Sequence, residues 1–156
     1  MRKNNGAVHV IIRDEDAILF VLRSHTGFAD GQYCLPSGRV EDGEVFTAAA
    51  VREAVEEVGI TLNQDEIGFT YLQHRLADNE LGEPEVWVDV FFEAGPWKGE
   101  AVNGEPDKHG EIAWFYADKL PENVLASHRY ALERIAHGHS YGEYGWDKIA
   151  PAIKTL

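Results

Sequence analysis

Glu53, Glu56 and Glu57 stand close together in the chain, separated by steps of three and one. On a helix, steps of three and four bring side chains to one face, so these carboxylates would crowd together. Crowded carboxylates repel one another unless a cation sits among them. An all-oxygen donor set suits a hard cation, Mg²⁺ or Mn²⁺, and with few His or Cys nearby zinc is the poorer fit. Arg52 offsets part of the charge by pairing with Glu56 or with Glu44. Acidic helix faces are also common as solvated surface, and glutamates alone favour that bland reading by roughly three to one.

The elements that must position these acids are legible around them. Residues 44–58 read as a helix: Ala50, Ala54 and Val58 recur at i, i+4 and i+8, Val51 and Val55 widen the stripe, and Gly59 supplies the stop. Ahead of it, residues 24–43 hold Gly27, Gly31, Pro36, Gly38 and Gly43, a long loop with a short strand at 33–35. A loop of that length in a compact domain is usually functional. Residues 6–23 alternate Val8, Val10, Ile12 and then Ile18, Phe20, Leu22 about a polar turn, the pattern of a β-hairpin. Strands are expected at 67–75 and 86–94 around an acidic loop. A polar loop at 97–111 leads to a strand at 112–116. Pro121 then opens a second helix to about His137, with Val124, Leu125, His128, Leu132 and Ile135 on one face. Tyr141, Tyr144 and Trp146 are expected to seal the end of the sheet. The order predicts an α/β fold, a mixed sheet flanked by helices, as one domain over residues 1–156.

Charge bounds the partners. The chain has 27 Asp+Glu against 14 Lys+Arg, a formal net of −13. Such a surface disfavours nucleic-acid polymers and anionic membranes. Apolar residues at 44% are enough for a packed core, which excludes acidic disorder. The single cysteine, Cys34, permits no internal disulfide and suits a reducing cytosol. No 18-residue apolar run or secretory leader is apparent, so a cytoplasmic location is expected. Residues 38–112 carry 18 acids and 5 bases, the whole of the imbalance. A small anionic substrate would approach that segment only with a divalent cation in place.

Context overturns the bland reading of the glutamates. Residues 38–60 read GRVEDGEVFTAAAVREAVEEVGI and fit G-x5-E-x7-R-E-U-x-E-E-x-G-U at every position. The fixed positions are Gly38, Glu44, Arg52, Glu53, Glu56, Glu57 and Gly59, a chance match on the order of one in 10⁸. This resembles the signature box of the Nudix hydrolase family. Upstream, Leu35-Pro36-Ser37-Gly38 is similar to the family's L-P-G-G, with Ser37 in place of one glycine.

The resemblance implies a Nudix α/β/α sandwich and Mg²⁺-dependent hydrolysis of a nucleoside diphosphate linked to a further moiety, with Mn²⁺ as substitute. It assigns the metal to Gly38, Glu53, Glu56 and Glu57, and catalysis to those glutamates with Arg52 and Glu44, which orient them. A divalent cation there would neutralise phosphate oxygens and acidify water. Glu53 is the leading candidate for the base, although family members also use a residue from a distant loop.

Substrate choice lies outside the box. Phe28 stands where the coenzyme A type has its second arginine, and Arg75 where the ADP-ribose type has a proline. The run from Trp97 to Pro121 is similar to bacterial nucleoside triphosphate-type members. That ranks a triphosphate, including an oxidised one, above ADP-ribose or a nucleotide sugar, and both above a non-hydrolytic sensor that would tend to lose box glutamates. Candidate substrate contacts are Arg23, Tyr33, Arg75, Glu105 and His109. His74 reads as a half-buried, satisfied histidine, Trp87 as core, and His137 and His139 as complements to a helix dipole. Monomer and homodimer both remain open.

Overall fold

Val8, Val10 and Ile12 alternate with Ala7, His9 and Ile11, and all six are buried. A strand covered on both faces must lie inside a sheet with a layer on each side. The computed structural model describes residues 5–148 and shows that arrangement. In chain order the strands are β1 (Gly6–Ile11), β2 (Arg13–Asp14), β3 (Ala17–Arg23), β4 (Tyr33–Cys34) and β5 (Ser37–Arg39). After helix α1 (Phe46–Val58) come β6 (Thr61–Leu62), β7 (Gly68–Asp78), β8 (Pro84–Glu93), β9 (Trp97–Lys98) and β10 (His109–Tyr116). Helix α2 (Ala126–Ala136) and strand β11 (Tyr141–Tyr144) follow, then a short 3₁₀ turn (Trp146–Lys148).

The main sheet runs β11-β7-β8-β1-β5, and a second joins β10, β3 and β2, with β4 beside β3. Pairings β1–β8 and β7–β11 are parallel and the others antiparallel, so the sheet is mixed as expected. Helix α1 lies on β1 and β5, burying Ala50, Ala54 and Val58 against Val8, Val10, Val90 and Phe92. Helix α2 lies on β7 and β11, where Leu132 and Ala131 meet Tyr71 and Phe91. The fold is the α/β sandwich the resemblance implied.

Several expectations are corrected. Residues 6–23 do not form one hairpin: only β2 turns back on β3, while β1 belongs to the main sheet. Ile11 and Ile12 are consecutive and both fully buried, so period two breaks there and the chain changes sheets. Helix α1 begins at Phe46, because Glu44 stays in the preceding turn, where its amide donates to the Glu41 carbonyl at 3.1 Å. Gly59 ends the helix in the left-handed region at φ 69°, as expected. Val55 faces solvent instead of widening the stripe.

Helix α2 starts at Ala126, not Pro121. The chain ahead of it runs along β4: Tyr33 N donates to Asn123 O at 2.8 Å and Leu125 N to Tyr33 O at 2.9 Å. The tail contributes β11, a strand no alternation in Tyr-Gly-Glu-Tyr announces. Beyond it Trp146 packs on His74 with ring centroids 4.6 Å apart, so His74 is half-buried and engaged as expected. The rest of the expected tail, residues 149–156, lies outside the described residues. Trp87 is not core but half-buried between two guanidiniums, Arg39 and Arg75. Cys34 is free and buried, which pushes its thiol up to about 12. Among the described residues no helix is long and apolar enough to cross a membrane.

Candidate active site

Helix α1 turns Arg52, Glu53, Glu56 and Glu57 toward the end of β5. Both pairings open to Arg52 are made. Its Nε and Nη2 donate to Glu44 at 2.7 and 2.9 Å, and its Nη1 donates to Glu53 at 2.8 Å and Glu56 at 3.2 Å. Nη2 also reaches the Arg39 carbonyl at 3.2 Å, tying helix to strand. The Arg52 hydrogen bonds hold the Glu44 carboxyl below its ordinary range. One arginine thus spans three acids and cannot neutralise them.

Gly38 faces α1 so closely that a Cβ there would collide with the Glu53 carboxylate. A side chain there would displace the Glu53 carboxylate from its present place. Next to it, the Ser37 amide donates to Glu57 Oε2 at 3.2 Å. Glu53 and Glu57 are both 7% exposed. Burial first, opposed by Arg52, pushes the Glu53 carboxyl up to about 7. Burial, then the neighbouring Glu53 charge, raises Glu57 well above its ordinary range.

A fourth acid arrives from the loop between β9 and β10. The amides of Val102 and Gly104 donate to the carbonyls of Val58 and Glu57 at 3.0 and 2.9 Å, which seats the loop on the last turn of α1. A Cβ on Gly104 would strike the Glu56 carbonyl. Asn103 accepts from the Glu105 amide at 3.2 Å and donates to the His109 carbonyl at 2.8 Å, shaping the turn. The result places one carboxylate oxygen each of Glu53, Glu56 and Glu105 within 4.8 Å of one another. Three converging carboxylates, one of them buried and all offering oxygen donors only, fit a divalent cation.

Of the residues singled out in the sequence, Gly38, Glu44, Arg52, Glu53, Glu56 and Glu57 come together, and Glu105 joins them. Glu57 is engaged by the Ser37 amide, while Glu105 completes the triple with Glu53 and Glu56. His109 is buried beside this loop, opposite Arg23 in the β3–β10 register, and burial lowers its pKa. Its Nδ1 has no hydrogen-bond partner among the described residues. Arg23 donates to the Phe28 carbonyl at 2.8 Å and sits over the Phe28 ring. The Tyr33 hydroxyl donates to Glu111 and its ring meets Phe115 edge-on.

Arg75 is engaged elsewhere: its guanidinium grips the Asp89 carboxylate at 2.5 and 3.1 Å. The sequence marks Ser37 only as a replacement for a glycine, and it does not single out His9 or Asp89. The available signals were a serine beside Gly38 and a histidine interrupting the apolar run of β1.

The chain is similar to known proteins along most of its length. Residues 3–135 match the model of the NUDIX domain. An 8-oxo-dGTP diphosphatase of Escherichia coli (strain K12) is 30% identical over 129 residues, 81% of this chain and 96% of that protein. An RNA pyrophosphohydrolase of Caulobacter vibrioides is 26% identical over 142 residues, 82% of this chain and 81% of that protein. Among solved structures, a MutT NUDIX hydrolase from Burkholderia pseudomallei superposes with a TM-score of 0.74 at 30% identity, over 85% of this chain and 98% of that one. With its box intact and its acids convergent, the chain belongs to the NUDIX family of hydrolases, which act on pyrophosphate bonds.

Proposed function

We propose that this protein is a Mg²⁺-dependent nucleoside triphosphate pyrophosphohydrolase, releasing a monophosphate and pyrophosphate, with oxidised nucleotides among its substrates. The observation that carries the metal reading is the convergence of Glu53, Glu56 and Glu105 oxygens within 4.8 Å, beside Gly38, where a side chain would displace the Glu53 carboxylate. The substrate reading is supported by the relative named for 8-oxo-dGTP, which aligns over almost its whole length. The net charge of −13 disfavours the end of an RNA chain as the main substrate.

Glu53, Glu56 and Glu105 would hold the cation, with Glu57 and the Gly38 backbone adjoining. Bound there, Mg²⁺ supplies charge neutralisation for the phosphate oxygens and acidifies water. Arg52 keeps three carboxylates aimed inward. The Ser37 amide steadies Glu57. Glu53, positioned by Arg52, is assigned to take the proton of the attacking water. Arg23, Tyr33 and His109 are proposed to line the approach for the nucleoside, and the protein is proposed to act in the cytoplasm.

The test is the purified chain with Mg²⁺ against dGTP, 8-oxo-dGTP, ADP-ribose and nucleotide sugars. Triphosphates are expected to yield stoichiometric pyrophosphate. Consumption of ADP-ribose or nucleotide sugars alone, with no pyrophosphate, would overturn the substrate; binding without turnover would overturn the enzyme.

A further inference from the structure

Gly38 can press on Glu53 only if the strand carrying it is held from behind, and its two neighbours show how. Ser37 and Arg39 point to the opposite face of the sheet, in register with His9 and Ala7 of β1. The Ser37 hydroxyl lies 2.7 Å from His9 Nδ1 and also contacts the Leu35 carbonyl at 2.7 Å. His9 stacks on Phe91, and its Nε2 stands 3.1 Å from Asp89 Oδ1. Asp89, 1% exposed, is gripped by Arg75. On the other flank, the Arg39 guanidinium covers one side of Trp87 at 4.3 Å, and the same Arg75 stands 5.3 Å from that ring. Both lines of contact from the flanks of Gly38 therefore end on one side chain.

We infer that Arg75 is a positioning residue for the metal site: through Asp89, His9 and Ser37 on one flank of Gly38, and Trp87 and Arg39 on the other, it fixes where β5 meets Glu53 and Glu57. This rests on the metal site proposed above and reassigns an arginine that sequence alone offered as a phosphate contact. A guanidinium is suited to the place because it makes a two-pronged bond to a carboxylate and lies flat on an indole; a lysine does neither as well. Groups that orient metal ligands typically change metal affinity or activity 10–100-fold when removed.

The experiment compares wild type with Arg75→Gln, Arg75→Lys and the milder Trp87→Leu. It measures Mn²⁺ affinity by electron paramagnetic resonance, kcat and KM for dGTP, and hydrogen exchange of the Ser37 and Val40 amides well below the melting temperature. Arg75→Gln is expected to weaken Mn²⁺ binding about 10-fold and to lower kcat with KM within about 2-fold. Both amides should exchange faster, and Arg75→Lys should not rescue. Trp87→Leu should loosen the Val40 amide more than that of Ser37. A rise in KM with Mn²⁺ affinity and both amides unchanged would make Arg75 a phosphate contact and overturn the inference. A lower melting temperature with nothing else moved would overturn it too. If wild type binds no Mn²⁺, the metal reading fails, while the two amides, which need no metal, still decide the role of Arg75.

Discussion

Asp89 and Glu57 are both buried carboxylates, one pointing to the α2 side of the main sheet and the other carried by α1 on the opposite side. Their acidities are displaced in opposite directions. Burial alone would raise both. At Asp89 that effect is overcome by His9 and then Arg75, which hold the carboxyl well below its ordinary range. At Glu57 the nearest partners are another carboxylate and a single backbone amide, so burial prevails. On one side of the sheet the buried carboxylate has Arg75 and His9 against it; on the other, Arg52 and Lys108 engage the neighbouring acids and leave Glu57 with no cationic partner at hydrogen-bond distance among the described residues.

The largest effect is expected at the self-contained side. Asp89→Asn leaves the half-buried Arg75 without its counter-charge and should lower unfolding stability by about 3 kcal/mol, read by urea denaturation. Unchanged stability would erase the contrast. On the other side, Glu56→Gln or Glu57→Gln should reduce Mg²⁺-dependent turnover at least ~100-fold, about 2.7 kcal/mol, while circular dichroism stays native. Full activity in both variants would remove the metal assignment. Mg²⁺ at about 100 times its Kd should stabilise wild type by roughly 2.7 kcal/mol, seen as a rise in melting temperature that chelation reverses. Glu105→Gln should shrink that rise while leaving the metal-free melt in place.

The pH dependence sharpens the contrast further. Glu53 is raised from 4.5 to about 7, and Glu57 moves the same way. Their protonated forms favour the fold, so their contribution is full below pH 4.5 and is lost as pH climbs through 7. Asp89 is depressed from 3.8, so its contribution is present above that value and fades as pH falls below it. Thermal melts in chelator should therefore decline toward both ends. Glu57→Gln should flatten only the alkaline side, and Asp89→Asn only the acid side.

The two sides were also unequally legible. The α1 acids, Gly38 and the Gly59 stop lie within one contiguous stretch, so spacing on a helix was enough to bring them together. Glu105 could be named as a candidate, but its arrival depends on Val102 and Gly104 bonding the end of α1, which no local pattern encodes. Ser37, His9, Asp89 and Arg75 come from four different strands and meet only through cross-strand register. A hairpin over residues 6–23 gives His9 no special place, since it pairs β1 with β3. Once β1 is seen as a central strand, a histidine there needs partners, and it has the Ser37 hydroxyl at Nδ1 and the Asp89 carboxylate 3.1 Å from Nε2. Helix α2 was overextended for a related reason: residues 121–125 have helical apolar spacing but spend their hydrogen bonds on Tyr33.

The loop seated on the last turn of α1 also sets where the chain can change length. Two backbone amides of residues 102–104 measure the span from the helix carboxylates to Glu105, as a ruler clamped at one end would. A residue inserted between Val102 and Glu105 moves the mark off the scale. The same insertion in the turn at 79–83, closed on itself by the Asn79 amide and side chain, leaves the reading unchanged. Divergence in loop length among copies of this gene should accumulate at that turn and be purged from the ruler.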